Sequence, residues 1–250
     1  MSSLFLRDDL AVVPHDVGDV VALDGDEARH AATVNRMRVG EHTAIGDGRG
    51  LVVRGIVVKA EARELELLVD AVDVHPEPAP LITLVQALAK GDRDELAIQA
   101  ATELGVGAVV PWQAERSVSR WTGPKEQKGV ERWRSIVREA AKQSIRPFVP
   151  VVGDLESTKE LAERVTGVRM LVLEPSAETR LTEVDVAGAY GDDSRPIVLV
   201  VGPEGGISPR ELELLTEAGA ETVRLGPEVL RTSTAGPAAL AVLNVLLERW

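Results

Sequence analysis

The chain has 250 residues, of which 44% are hydrophobic and 27% charged, values ordinary for a globular protein and compatible with one large α/β domain or a small domain plus a medium one. Forty acidic against 28 basic side chains give a formal charge of −12, at first sight unfavourable for a nucleic-acid partner. There is no cysteine, which excludes disulfides, thiolate metal sites and a cysteine nucleophile and agrees with a reducing cytoplasm.

The first seventy-odd residues read as a small β-rich module. Short apolar runs at 20–23, 43–45, 51–58 and 65–74 are separated by turn chemistry. One helix is predicted over 26–35, with Asp24 as its cap. The glycine-rich turn Gly46-Asp47-Gly48-Arg49-Gly50 is followed by the strand-like LVVRGIVV, so it predicts a hairpin and not a nucleotide loop. The proline-rich stretch 75–80 is a stiff linker that divides the chain into domains 1–74 and 81–250.

Beyond the linker the pattern alternates. Strands are predicted at 81–87, 107–111, 148–152, 169–173, 196–201 and 222–225. Helices are predicted at 92–104, 125–143, 159–165, 208–218 and 237–250. Alternating β and α elements with wholly apolar strands predict a parallel sheet covered on both faces. No apolar run reaches the length of a membrane span, and Arg7, Asp8 and Asp9 argue against a secretory signal, so a cytoplasmic protein is expected. The four histidines show no metal-ligand spacing, and no metal is expected.

The charge is unevenly distributed. Residues 116–146 hold nine basic and three acidic side chains, and 29–54 hold five arginines against Glu41 and Asp47, whereas 151–230 carry 16 acids and 7 bases. A basic face on an acidic body is compatible with phosphate contacts, although a charged helix such as 125–146 can equally be a solvated face.

The most telling stretch is VLVVGPEGGISPRELE, 198–213. An apolar strand ends at Gly202-Pro203-Glu204-Gly205-Gly206, and a helix start follows, with Ser208 as N-cap, Pro209 at the first position and Glu211 completing a capping box. A second loop, LGPEVLRTSTA (225–235), also follows a predicted strand. Ligands of open parallel sheets sit beyond the carboxyl ends of strands. The loops after 173, 201 and 225 therefore suggest one site built largely from main chain, though a plain turn with a helix cap remains the alternative for GPEGG.

These motifs resemble the RsmE-type methyltransferases of the SPOUT superfamily. VGPEGGISPRELE and LGPEVLRTSTA carry the likeness most specifically; KGDRDELAIQAATELGV (90–106), ERS (115–117) and EAAKQSIRPFVP (139–150) extend it. RHAATVNRMRVG (29–40) is similar to the family's PUA-like RNA-binding domain. The resemblance implies a trefoil-knotted parallel-sheet methyltransferase domain, S-adenosylmethionine (SAM) as methyl donor, a homodimer, and methylation of N3 of a uridine in 16S rRNA of the small ribosomal subunit. Glu228 and Ser233 depart from the family pattern, standing where Arg and Glu are usual.

Under this resemblance Leu173, Gly202, Pro203, Gly205, Gly206, Leu225, Gly226, Leu230, Thr234 and Ala235 are the candidate cofactor residues. Arg231 is the candidate catalytic cation, because loss of the N3 proton spreads negative charge onto O2 and O4. Glu204 is a candidate general base, with a loop carboxylate bonded to nearby N–H groups as the alternative. Arg29, His30, Arg36, Arg38, Arg116, Gln143 and Arg146 are candidate RNA contacts. Two other functions stay open: ribose 2′-O methylation, and a non-catalytic RNA-binding assembly factor.

Overall fold

The computed structural model describes residues 4–186 and 195–250. They divide into two compact units, one formed by 4–77 together with 141–149 and the other by 78–140 together with 150–186 and 195–250.

In the first unit, strands β1 (Leu4–Leu6), β2 (Val20–Asp24), β3 (His42–Gly46), β4 (Leu51–Glu61) and β5 (Glu64–Val74) form one sheet in the order β1-β3-β4-β5-β2. β3 and β4 pair antiparallel across the glycine-rich turn, as the hairpin reading expects. Asp47 closes the turn by accepting from the N–H groups of Arg49 and Leu51. The helix predicted over 26–35 changes type along its length: α1 covers Gly25–Arg29 and widens into a π-type turn, His30–Val34. Asp24 supplies no capping hydrogen bond. Phe5, Ile45, Val53, Leu65 and Leu67 lie in the core of this unit. Strand β1 escaped the sequence reading because three apolar residues carry too little periodicity to mark a strand.

Segment 141–149 belongs to the first unit through definite contacts. Gly50 N–H donates to Pro147 C=O, and Val149 N–H to Gly48 C=O. The buried Lys142 ammonium meets Glu27 Oε1 at 2.9 Å.

The second unit carries a six-stranded parallel sheet in the order β11-β9-β10-β6-β7-β8: β6 (Ile82–Ala87), β7 (Ala108–Trp112), β8 (Val151–Val152), β9 (Arg169–Leu173), β10 (Ile197–Val201) and β11 (Glu221–Val223). All five residues of β10 are buried, as a central strand covered on both faces requires. Val198 and Val200 share a core with Leu161 of α4 (Thr158–Glu163) and Leu215 of α5 (Pro209–Glu217). On the opposite face α6 (Thr232–Leu246) packs against α2 (Arg93–Glu103) and the sheet, with Gly236 close to Leu84 and Val201. Helix α3 covers Pro124–Gln143. The predicted strand 148–152 is reduced to two residues, because 148–149 already belong to the first unit. No helix among the described residues is long and apolar enough to cross a membrane.

The last helix differs most from expectation. Pro237, predicted to begin it, lies inside, and the helix starts five residues earlier at Thr232. Pro237 lies beyond the unsatisfied first turn, so the helix forgoes the one hydrogen bond that an N–H here would give to the Ser233 C=O. Helix α4 shows the value of local capping: Ser157 accepts from the Glu160 N–H while the Glu160 side chain accepts from the Ser157 N–H. Ser157→Ala is expected to cost about 1 kcal/mol, read as a lower denaturant midpoint with an unchanged slope.

Candidate functional site

Loops after β9, β10 and β11 converge on a cavity of about 570 Å³ at the carboxyl ends of those strands. A volume of this size suits a small organic ligand. Leu173, Gly202, Pro203, Gly205, Gly206, Leu225, Gly226, Leu230 and Ala235 all line it, as do Glu204 and Arg231. Thr234 does not. Its position on the first turn of α6 faces outward and is exposed, while Ala235 reaches the cavity. Arg93, Glu174, Arg224, Glu228 and Thr232 line it too. Sequence reasoning did not single out Arg93, whose only signal is its place at the start of α2.

The glycines of GPEGG are required mainly by the protein itself. A Cβ on Gly202 would fall 2.7 Å from Ile207 Cγ1, and one on Gly205 would fall 3.2 Å from Arg116 Cβ. Gly206 has φ +72, a left-handed conformation that other residues adopt only with strain. The loop is thus folded back on Ile207 and Arg116, and what it offers a ligand is mostly backbone.

Two relays fix that shape. Gln86 Nε2 donates to Thr232 Oγ1, which donates to Gly202 C=O, each at 2.8 Å, so the first residue of α6 is tied to the end of β10. Beyond the loop, Ser208 caps α5 in the expected capping box with Glu211. Glu211, itself buried, also accepts from the Glu115 N–H at 2.7 Å and from Thr158 Oγ1 at 2.8 Å. Ser208 Oγ donates to Glu115 at 2.7 Å. The next residue, exposed Arg116, donates from Nη1 to Gly205 C=O at 3.1 Å.

Glu204 is engaged by neighbouring donors. Its Oε1 accepts from the Lys90 N–H and from Arg93 Nη1, both at 3.0 Å. Partial burial opposes its charge, but hydrogen bonds from its own N–H, the Lys90 N–H and Arg93 outweigh this and hold the carboxyl below the usual range. Arg231 contrasts with it. Its C=O starts α6 by accepting from the N–H groups of Thr234 and Ala235, while its exposed guanidinium has no hydrogen bond or ion pair among the described residues.

The peptide groups of Leu225, Gly226 and Leu230 make no hydrogen bond within the described chain. Unpaired main-chain donors and acceptors on a concave wall are what a flat heterocycle with an alternating polar edge needs. The donor set therefore fits an adenosine-like group.

Of the candidate RNA contacts, only Arg116 lies in the second unit. Arg29, Arg36, Arg38 and Gln143 are exposed residues of the first. His30 is half-buried there, edge-on to Phe5 with ring centroids 6.4 Å apart and with Nδ1 3.4 Å from Lys142 Nζ. Burial pushes the Arg146 guanidinium down to about 10.

An RNA methyltransferase domain family matches residues 75–244, and an RNA methyltransferase PUA domain family matches 23–70. The ribosomal RNA small subunit methyltransferase E of Mycobacterium bovis is 48% identical over 240 residues, covering 94% of this chain and 90% of its own length. The chain belongs to the ribosomal RNA small subunit methyltransferase E family. The Bacillus subtilis member is 32% identical over 231 residues, covering 91% of this chain and 90% of its own. Among solved structures, the family member of Neisseria gonorrhoeae bound to S-adenosyl methionine is similar at a TM-score of 0.85 with 30% identity, covering 98% of both chains. A Legionella pneumophila methyltransferase in complex with SAM gives 0.84 with 26% identity, again over 98% of both chains.

Proposed function

We propose that this chain transfers a methyl group from SAM to N3 of a uridine in 16S rRNA, as a homodimer acting on the small ribosomal subunit in the cytoplasm. The observation that carries the reading is the cavity at the ends of β9, β10 and β11, whose wall leaves the peptide groups of Leu225, Gly226 and Leu230 without hydrogen-bond partners among the described residues. Family membership and the SAM-bound relatives support it.

SAM, when bound, supplies an electrophilic methyl group on a sulfonium. The chain's share is chiefly positioning, because in-line displacement needs donor and acceptor held near contact. Leu225, Gly226 and Leu230 present the edges that read adenine. Leu173, Gly202, Pro203, Gly205, Gly206 and Ala235 shape the rest of the cavity. Arg231 stabilises the negative charge that collects on uracil O2 and O4 as the N3 proton leaves. Glu204 is a clamp that joins the GPEGG loop to the turn before α2. Arg116 stands beside the same loop, free to meet a phosphate with the donors not spent on Gly205. The exposed arginines of the PUA-like unit provide sequence-independent phosphate contacts.

The reading is tested by incubating small subunits from a strain lacking this protein with labelled SAM and identifying the labelled nucleoside. Label in 3-methyluridine is expected; label in a 2′-O-methylated ribose, or none, overturns it. Glu204→Gln separates clamp from base. The variant is expected to keep at least about a third of kcat and to bind SAM several-fold more weakly, since one charged hydrogen-bond acceptor becomes neutral. A loss of two orders of magnitude in kcat with unchanged SAM affinity would return Glu204 to the role of general base.

A further inference from the structure

The cavity wall carries three carboxylates besides its peptide groups, and two are already engaged. Glu204 Oε1 holds the Lys90 N–H and Arg93. Glu174 Oε1 accepts from the N–H and hydroxyl of Ser176. The third, Glu228, makes no hydrogen bond or ion pair among the described residues, yet it lines the cavity. Its Oε2 lies 3.5 Å from the point where a Cβ on Gly226 would stand, and apart from the neighbours Leu225 and Pro227 no other described residue comes within 4 Å of that point. A free carboxylate therefore lies across the open face of Gly226, between two stretches of unpaired peptide.

We infer that Glu228 binds the ribose of the methyl donor, its carboxylate accepting from the 2′ and 3′ hydroxyls; this rests on the cofactor reading above. The chemistry of the wall divides the adenosine in this way. A planar base needs single donors and acceptors in its own plane, and the peptide groups of Leu225, Gly226 and Leu230 supply them. Vicinal hydroxyls offer two donors side by side, and a carboxylate at the end of a side chain can accept from both. Acidic side chains grip ribose hydroxyls in the same manner in dinucleotide-binding folds. Arg231, three residues on, is left for the acceptor.

The test is calorimetric titration of the native chain, Glu228→Ala and Glu228→Gln with SAM, S-adenosylhomocysteine and 5′-methylthioadenosine, which share the ribose but differ in charge. Glu228→Ala is expected to weaken all three about tenfold, and Glu228→Gln about threefold, the range of one charge-assisted hydrogen bond. Replacing 5′-methylthioadenosine by its 2′-deoxy form is expected to cost the native chain several-fold and Glu228→Ala nothing further. Unchanged affinities in Glu228→Ala overturn the inference. So does a loss confined to SAM, which would mean pairing with the sulfonium, and so does an equal 2′-deoxy penalty in both proteins. Failure of the native chain to bind any of the three would instead overturn the cofactor reading itself.

Discussion

Arg231→Ala is expected to lower kcat for methyl incorporation into small ribosomal subunits by about 100-fold or more, while SAM affinity and thermal midpoint stay nearly unchanged. The magnitude is that of removing one preorganised donor from a site where negative charge develops. The selectivity follows from geometry. The Arg231 backbone holds the first turn of α6 through the Thr234 and Ala235 N–H groups, and alanine preserves that. Its guanidinium is exposed at the cavity and bonds to nothing in the described chain, so truncation leaves no buried group without a partner. Arg231→Lys is expected to fall between, because an ammonium keeps the charge but loses the planar fork that can bridge two oxygens. Activity of Arg231→Ala within threefold of native would remove Arg231 from the chemistry.

The cavity residues were legible in the sequence because they are adjacent in it. A run such as IVLVV ending in GPEGG carries its own strand, loop and helix start, and Ser208, Pro209 and Glu211 form the helix end that their spacing predicts. The parallel sheet followed from the same kind of local evidence. What was not legible rests on contacts between distant positions. The start of α6 at Thr232 is set by hydrogen bonds to Gly202 and Gln86, 30 and 146 residues away, and no propensity scale contains them. The attachment of 141–149 to the first unit rests on contacts such as Lys142 with Glu27, 115 residues apart, and the backbone hydrogen bonds of Gly48 and Gly50. The sequence favours a loop carboxylate bonded to nearby N–H groups over a base at Glu204, but it does not name Lys90 and Arg93, which share its Oε1. The approach of Ile207 and Arg116 to the positions that side chains at Gly202 and Gly205 would take is likewise a contact the local sequence does not announce.

Glu211 is where the largest loss of stability is expected. Its carboxylate accepts from the Ser208 N–H at 3.1 Å, the Glu115 N–H at 2.7 Å and Thr158 Oγ1 at 2.8 Å, in a buried setting. Thr158 in turn accepts from Trp112 Nε1. Glu211→Ala strands three donors at once, and each buried donor left without a partner costs about 1–3 kcal/mol. The whole change is therefore expected to exceed about 3 kcal/mol, with Glu211→Gln losing less because one carbonyl oxygen remains to accept. Denaturant midpoints measure it. The consequence reaches the site because the same carboxylate fixes Glu115, and the next residue, Arg116, bonds the Gly205 carbonyl. SAM affinity is accordingly expected to fall even under conditions where Glu211→Ala remains folded. A variant at Glu211 that lost stability but bound SAM as tightly as the native chain would show that Gly206, Ile207 and the Gln86–Thr232 relay hold the loop in shape without help from the α5 cap.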